Sequence, residues 1–253
     1  MRSGLSLLLL LPMALMAMPA QAGPKRVLLV YGPGEASPSA ESRARMLAAD
    51  LLGDARKRAR GVHVSEIPII GSAPLWVAGD VEVGECAADQ LDADEIRALV
   101  EQGREWTDLL EDVKASRAFD SAWQALLCSD TFAGEDLLYD LHFYLGVAAF
   151  VAGDKERAGA AFTAAASVDP DREFDARYPP EIEALYSEAR DGRFTSGCVR
   201  LRLEDPDQVA AELRVDGRRF DRKKPALLAP GGHLLQFRTQ SETFTSLGLN
   251  VAG

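Results

Sequence analysis

The clearest periodicity in the chain covers residues 137–170, LLYDLHFYLGVAAFVAGDKERAGAAFTAAASVDP. Apolar positions recur at helical spacing on both sides of Gly153-Asp154. The stretch therefore reads as two helices, 137–151 and 155–168, joined by a Gly-Asp turn and stopped by Pro170. The same period begins earlier. From Asp92, the residues Ile96, Leu99, Val100, Trp106, Leu109, Leu110 and Val113 follow one helical face. Phe119, Ala122, Trp123, Leu126 and Leu127 follow another within 115–128. Both sets are expected to face a core. A final helix is predicted over 180–190, with proline at its start and Gly192 just beyond its end.

Outside this middle region the period shortens to two. RVLLVY at 26–31 reads as a strand, 40–60 as a helix carrying Arg56, Lys57, Arg58 and Arg60 near its end, and 62–70 and 75–83 as further strands. After Gly192, residues 199–203, 211–215, 234–238 and 244–251 have strand character, with Asp216-Gly217 and Gly231-Gly232 as turns. The order predicts an α+β, multi-domain chain. Its parts are a small α/β N-terminal unit at 23–83, an all-α domain of helical hairpins at 84–192, and a small C-terminal β-sandwich at 193–253.

Composition adds a compartment. Arg2, an apolar run over 5–17 and Ala20-Gln21-Ala22 have the layout of a secretory signal over 1–22. The apolar run is short for a membrane anchor, so the expected product is periplasmic or secreted, with no membrane span after cleavage. Charge is uneven: residues 84–192 hold 25 Asp and Glu against 9 Lys and Arg, a net of −16. This excess argues against nucleic acid as a partner and would suit a basic one, although it also describes a solvated helical face. Three cysteines in an exported chain suggest one disulfide and one remaining thiol. Cys86 precedes the first middle helix and Cys128 ends the second, so an antiparallel hairpin brings them to the same end. The other reading is three unpaired buried thiols.

Leu145-Gly146, Ala158, Phe162, Ala165 and Pro170 fall at the spacing by which residues 137–170 resemble a tetratricopeptide repeat. The resemblance implies that Gly146 lets two helices approach, that Ala158, Phe162 and Ala165 pack between them, and that Pro170 ends the second. It also implies partner-facing positions at Asp140, Phe143, Val147, Phe150 and Val151. These are mostly apolar, as is the opposite side of the helix, so the face reads either as an open peptide groove or as one covered by the N-terminal unit. His142 stands where the family commonly has a large residue, and Ala149 replaces the usual aromatic. Residues 193–253 resemble the PEGA-type β-domain of bacterial envelope proteins through Val215-Asp216-Gly217, a later proline and Gly231-Gly232-His233, without that family's naming tetrapeptide. In this setting His233 is expected to be a turn residue.

The chemistry-bearing residues are scattered. His63, His142 and His233 belong to three different predicted segments, none with a second ligand at metal spacing. His142 lies between Asp140 and Tyr144 in sequence, but residues two apart do not share a helix face. Gly32-Pro33-Gly34 follows a strand and precedes a helix, yet it lacks the Gly-Lys-Ser/Thr ending of a phosphate loop. The expectation is a non-enzymatic, cofactor-free scaffold for protein–protein interaction in the bacterial envelope. Its partners would be envelope proteins, basic ones included, or cell-wall polymer met through the β-domain. The alternative is a small-molecule or nucleotide sensor using the N-terminal α/β unit.

Overall fold

Helical and strand signals segregate along the chain, and the three-dimensional arrangement follows from how each element covers its apolar side. The computed structural model describes the strands at 25–31, 64–67, 75–78 and 81–84, and residues 86–194, 199–204, 210–221, 224, 226–239 and 244–251. The signal at 1–22, the helix expected over 40–60 and the Gly32-Pro33-Gly34 turn lie outside these residues. Five helices make the middle: α1 (Ala93–Asp108), α2 (Asp112–Leu127), α3 (Glu135–Val151), α4 (Lys155–Val168) and α5 (Pro180–Gly192). Asp92 caps α1 through a capping box with Glu95, which satisfies the first free amides. Asp154 accepts from Arg157 N at the start of α4, and Pro180 occupies the first turn of α5.

Both helical hairpins close by the same contact. A side chain at Gly146 of α3 would place its Cβ 2.5 Å from the Phe162 ring of α4. One at Gly103 of α1 would come within 2.6 Å of the Phe119 ring of α2. Each glycine thus admits a phenylalanine that is fully buried. Around each ring the flanking alanines repeat as well: Ala115 and Ala122 in the first hairpin, Ala158 and Ala165 in the second, all 0% exposed. The two sets are offset by 43 positions in residue number, with the connector between α2 and α3 taking up the excess over two short helices.

The strands form two sheets. Let β1 be Lys25–Tyr31, β2 Val64–Ile67, β3 Leu75–Ala78, β4 Val81–Gly84, β5 Val199–Glu204, β6 Ala210–Val215, β7 Arg218–Arg219, β8 Ala226–Leu228, β9 Gly231–Thr239 and β10 Phe244–Val251. One sheet has the order β2-β3-β1-β5-β8 and the other β4-β10-β9-β6-β7. The second is antiparallel throughout. Strands after residue 193 divide between the two sheets, and each sheet takes strands from before the helices. β1 runs parallel to β5, and β4 pairs with β10, so pairing crosses the segment limits at 83 and 193.

The β4-β10-β9-β6-β7 sheet lies directly against the helices. Side chains added at Gly232 or Gly248 would meet the Trp123 ring at 3.7 and 3.4 Å, and Gly84 and Gly248 face Leu127 at 3.3 and 3.2 Å. The glycines lower one side of the sheet so that α2 can sit on it. Residues 233–237 of β9 are all buried, so this central strand is covered on both faces. The connector before α3 is tied down by polar contacts. Gln236 Oε1 accepts from Ala133 N at 2.7 Å, its Nε2 donates to Ser246 Oγ, and Ser246 Oγ donates to Ser129 O. The sulfurs of Cys86 and Cys128 stand 2.18 Å apart, at disulfide distance, and fasten the start of the helical region to the end of α2.

One expectation about the core is corrected. Leu109, Leu110 and Val113 follow the helical period of α1, but they are 66%, 71% and 59% exposed. The helix stops at Asp108, and the chain turns there, carrying all three out to solvent. We expect Gly146→Ala to destabilise the fold by roughly 1–3 kcal/mol in urea unfolding, the range for overpacking a tight core. Gly103→Ala should cost a comparable amount, since it meets an equivalent ring. Reduction of the disulfide should lower stability by about 2–4 kcal/mol, read from unfolding with and without reductant.

Candidate functional site

The side of α3 expected to face a partner is occupied from within. Phe143 is 2% exposed and Val147 1%. The Phe143 ring lies 5.4 to 6.0 Å from those of Tyr139, Tyr144, Phe162, Phe174, Tyr178 and Tyr186. Among the described residues its cover comes from α5 and the 169–179 segment. Most of these rings meet Phe143 edge-on or tilted, while Tyr139 stacks on it at 11°. Asp140 pairs with Arg172 at 3.2 Å, and the same guanidinium bonds Asp136 at 2.7 Å and lies over the Tyr139 ring. Phe150 is half-buried against the core, and Val151 is 41% exposed at the helix end. Pro170 is half-buried just past α4.

The open space lies on the other side of α3. A half-open cavity of about 540 Å³ lies between α2, α3 and α4 on one side and β4, β9 and β10 on the other. Its helical walls include Phe119, Trp123, Leu141, Leu145 and Ala164, and the sheet contributes Gly232, Gly248 and Leu249. Leu145, expected as a repeat-packing residue, is half-buried and lines this space. At the rim Arg157 Nη2 donates to Asp120 Oδ1 at 2.8 Å, with the two side chains 40% and 60% exposed. The volume lies within the range of small-ligand sites, as does an apolar lining carrying a few polar groups.

His142 is the polar group in the apolar wall. It is 6% exposed, lines the cavity, and has its ring centroid 5.4 Å from that of Trp123. Among the described residues nothing hydrogen-bonds its imidazole nitrogens. Burial pulls its pKa down to about 4, with Asp216 opposing and His233 reinforcing the shift. The ring is therefore neutral near pH 7, with one nitrogen that donates and one that accepts. Its sequence neighbours Asp140 and Tyr144 belong to the opposite side of α3, where Arg172, Phe143 and Tyr178 meet them.

His233 behaves in the opposite way, and its expected role is corrected. It is the third residue of β9 and 1% exposed, a core residue and not a turn residue. Its Nδ1 lies 2.7 Å from Asp216 Oδ2 and its Nε2 lies 2.8 Å from Ala229 O. Both partners are acceptors, so the ring satisfies both by carrying two protons. Burial disfavours that charge, but the Asp216 carboxylate and the hydrogen bonds outweigh it and raise the pKa. For Asp216, burial is likewise outweighed by His233 and by Leu234 N, which donates at 2.9 Å, and its pKa is lowered. Asp216 holds φ 51° and Gly217 φ 77°, the left-handed pair of a tight hairpin turn between β6 and β7. The Asp-Gly and Gly-Gly-His motifs of the sequence are thus bonded to one another.

Sequence reasoning missed Trp123, Asp120 and Arg157 as neighbours of His142, because they converge only when the hairpins dock. It also missed the Gly103–Phe119 contact, although the spacing from glycine to phenylalanine matches that of Gly146 and Phe162 and was visible. No family model matches the chain, and no curated protein or solved structure shows significant similarity to it.

The two histidines set opposite limits on stability. His233, raised above 6.5, contributes fully below that pH and loses its contribution as pH rises through the raised value. Asp216, lowered below 3.8, loses its contribution only as pH falls through the depressed value. His142 contributes fully above 6.5 and loses its contribution as pH falls towards about 4. Denaturant midpoints recorded from pH 4 to 9 should fall on both sides. Replacing His142 by Phe should flatten the acid limb, whose slope is at most about 1.4 kcal/mol per pH unit for one proton. Asp216→Asn should remove the alkaline limb while lowering stability overall.

Proposed function

We propose that the chain is a non-enzymatic scaffold of the bacterial envelope, periplasmic or at the cell surface, which holds a basic protein partner through its helical region. The observation that carries this reading is Leu110. Glu111 N donates to Trp106 O and Leu110 N to Thr107 O, the two bonds that end a helix with one left-handed residue. At the end of α3, Gly153 fills that place with φ 83°, and the equivalent bonds run from Gly153 N to Phe150 O and from Asp154 N to Ala149 O. At the end of α1 a leucine fills it, with φ 59° and 71% exposure. A left-handed leucine costs about 1–2 kcal/mol relative to its ordinary conformation, and no burial offsets that here.

Strain kept on an exposed apolar side chain points to a use outside the fold. Leu109, Leu110 and Val113 form an apolar tip, with Glu105 and Asp108 exposed around it and Glu111 paired with Lys114 at 3.4 Å. Such a tip would fit an apolar recess rimmed by Lys or Arg. The disulfide-distance cysteines support an oxidising compartment, and among the described residues no helix is long and apolar enough to cross a membrane. The tetratricopeptide-like and PEGA-like readings of the helices and the later strands belong to this proposal.

Leu110→Gly separates the tip from the fold. It should stabilise the protein by about 1 kcal/mol, since glycine adopts the left-handed conformation freely. It should also weaken the adduct formed in cells by a photo-crosslinker placed at Val113. A more stable variant that cross-links as well as the parent would count against the tip as the contact.

A further inference from the structure

The cavity between the hairpins and the sheet is separate from the apolar tip and has the features of a ligand site. Three properties define what it would take. Its inner walls are apolar, from Phe119, Trp123, Leu141 and Leu249. Its one deep polar side chain, His142, is nine-tenths buried and hydrogen-bonded by no described residue. The ring lines the cavity, so its nitrogens depend on whatever occupies that space, water or a ligand, for their hydrogen bonds. The rim charges, Asp120 and Arg157, already neutralise each other at 2.8 Å.

We propose that this cavity binds an uncharged, ring-bearing small molecule with one hydrogen-bonding group, of the phenol or aryl-alcohol class, whose hydroxyl meets His142. A neutral imidazole can donate to or accept from a hydroxyl, which serves as either partner. The ring of the ligand would lie beside Trp123, over the strip where Gly232 and Gly248 leave the sheet without side chains. A carboxylate or phosphate is disfavoured because its charge would lie in the apolar interior, where the one cation among the described lining residues, Arg157, is already paired with Asp120. A sugar is disfavoured because several of its hydroxyls would face the apolar inner walls, where His142 is the one deep polar side chain.

Calorimetric titration of the mature full-length chain tests this with four probes: 2-naphthol, naphthalene, 2-naphthoate and N-acetylglucosamine. We expect 2-naphthol to bind saturably at one per chain, roughly ten-fold tighter than naphthalene, the factor one hydrogen bond supplies in such a site. In His142→Phe the two should bind within about two-fold of each other, since the apolar walls remain and the partner is gone. Should that variant fail to fold, the imidazole resonances of the parent protein give the same answer. A hydrogen-bonded imidazole N–H or nitrogen signal of His142 should appear with 2-naphthol and not with naphthalene, whose ring current alone moves the carbon-bound protons. Equal affinity for naphthol and naphthalene in the parent protein would overturn the proposal. So would tighter binding of naphthoate or the sugar, or the absence of saturable binding by any probe.

Discussion

The close approach of a glycine-lined sheet to the helical array is the constraint on which the rest of the structure depends. Gly84, Gly232 and Gly248 carry no side chain where α2 presents Trp123 and Leu127. Added Cβ atoms at Gly84 and Gly248 would stand 3.3 and 3.2 Å from Leu127, closer than side chains usually pack, while those at Gly232 and Gly248 would touch the Trp123 ring in ordinary contact. The same absence leaves room above β9 and β10, which becomes the cavity roofed by α3 and α4. Helix and sheet are therefore one core here. The connector from Ser129 to Ala133 is held by Gln236 and Ser246, so the hairpins cannot move as a unit without breaking buried hydrogen bonds.

Two buried histidines lie on either side of this junction, and Asp216 distinguishes them. His233 has an acceptor on each nitrogen and holds its proton against burial. His142 lies near the same carboxylate without bonding it, so burial prevails and the ring is neutral. The Asp216–His233 pair ties the β6–β7 turn to β9, and Gly217 of that turn abuts Glu135 N at the start of α3. Charge, turn geometry and the placement of α3 are linked through a few residues. A buried pair of this kind contributes chiefly to specifying one arrangement, since its desolvation offsets much of its attraction.

Much of the secondary structure was legible in the chain. Asp92, Gly153 and Pro180 mark helix ends by local rules of capping and backbone conformation, which do not need the rest of the fold. The cysteine pairing was legible too, because an antiparallel hairpin dictates which ends meet. Leu109, Leu110 and Val113 were misjudged for a definite reason. Helical period says which residues share a face while the helix lasts, but Leu110 takes a left-handed conformation usually left to glycine and turns the chain away from the core. His233 was misjudged because a Gly-Gly-His string resembles a turn, whereas the strand begins at Gly231 and buries the histidine two residues later.

The sequence by itself determined the α+β composition, most helix ends and the acidic middle, all properties set by neighbours within a few turns of chain. Tertiary structure alone decided that Phe143 is enclosed by α5 and the 169–179 segment, and that β1 lies beside β5 and β4 beside β10. It also decided that Trp123, His142 and Arg157 line one space. Periodicity specifies that a face must be covered and carries no information about what covers it. That choice depends on which distant surfaces fit once the glycines let them approach.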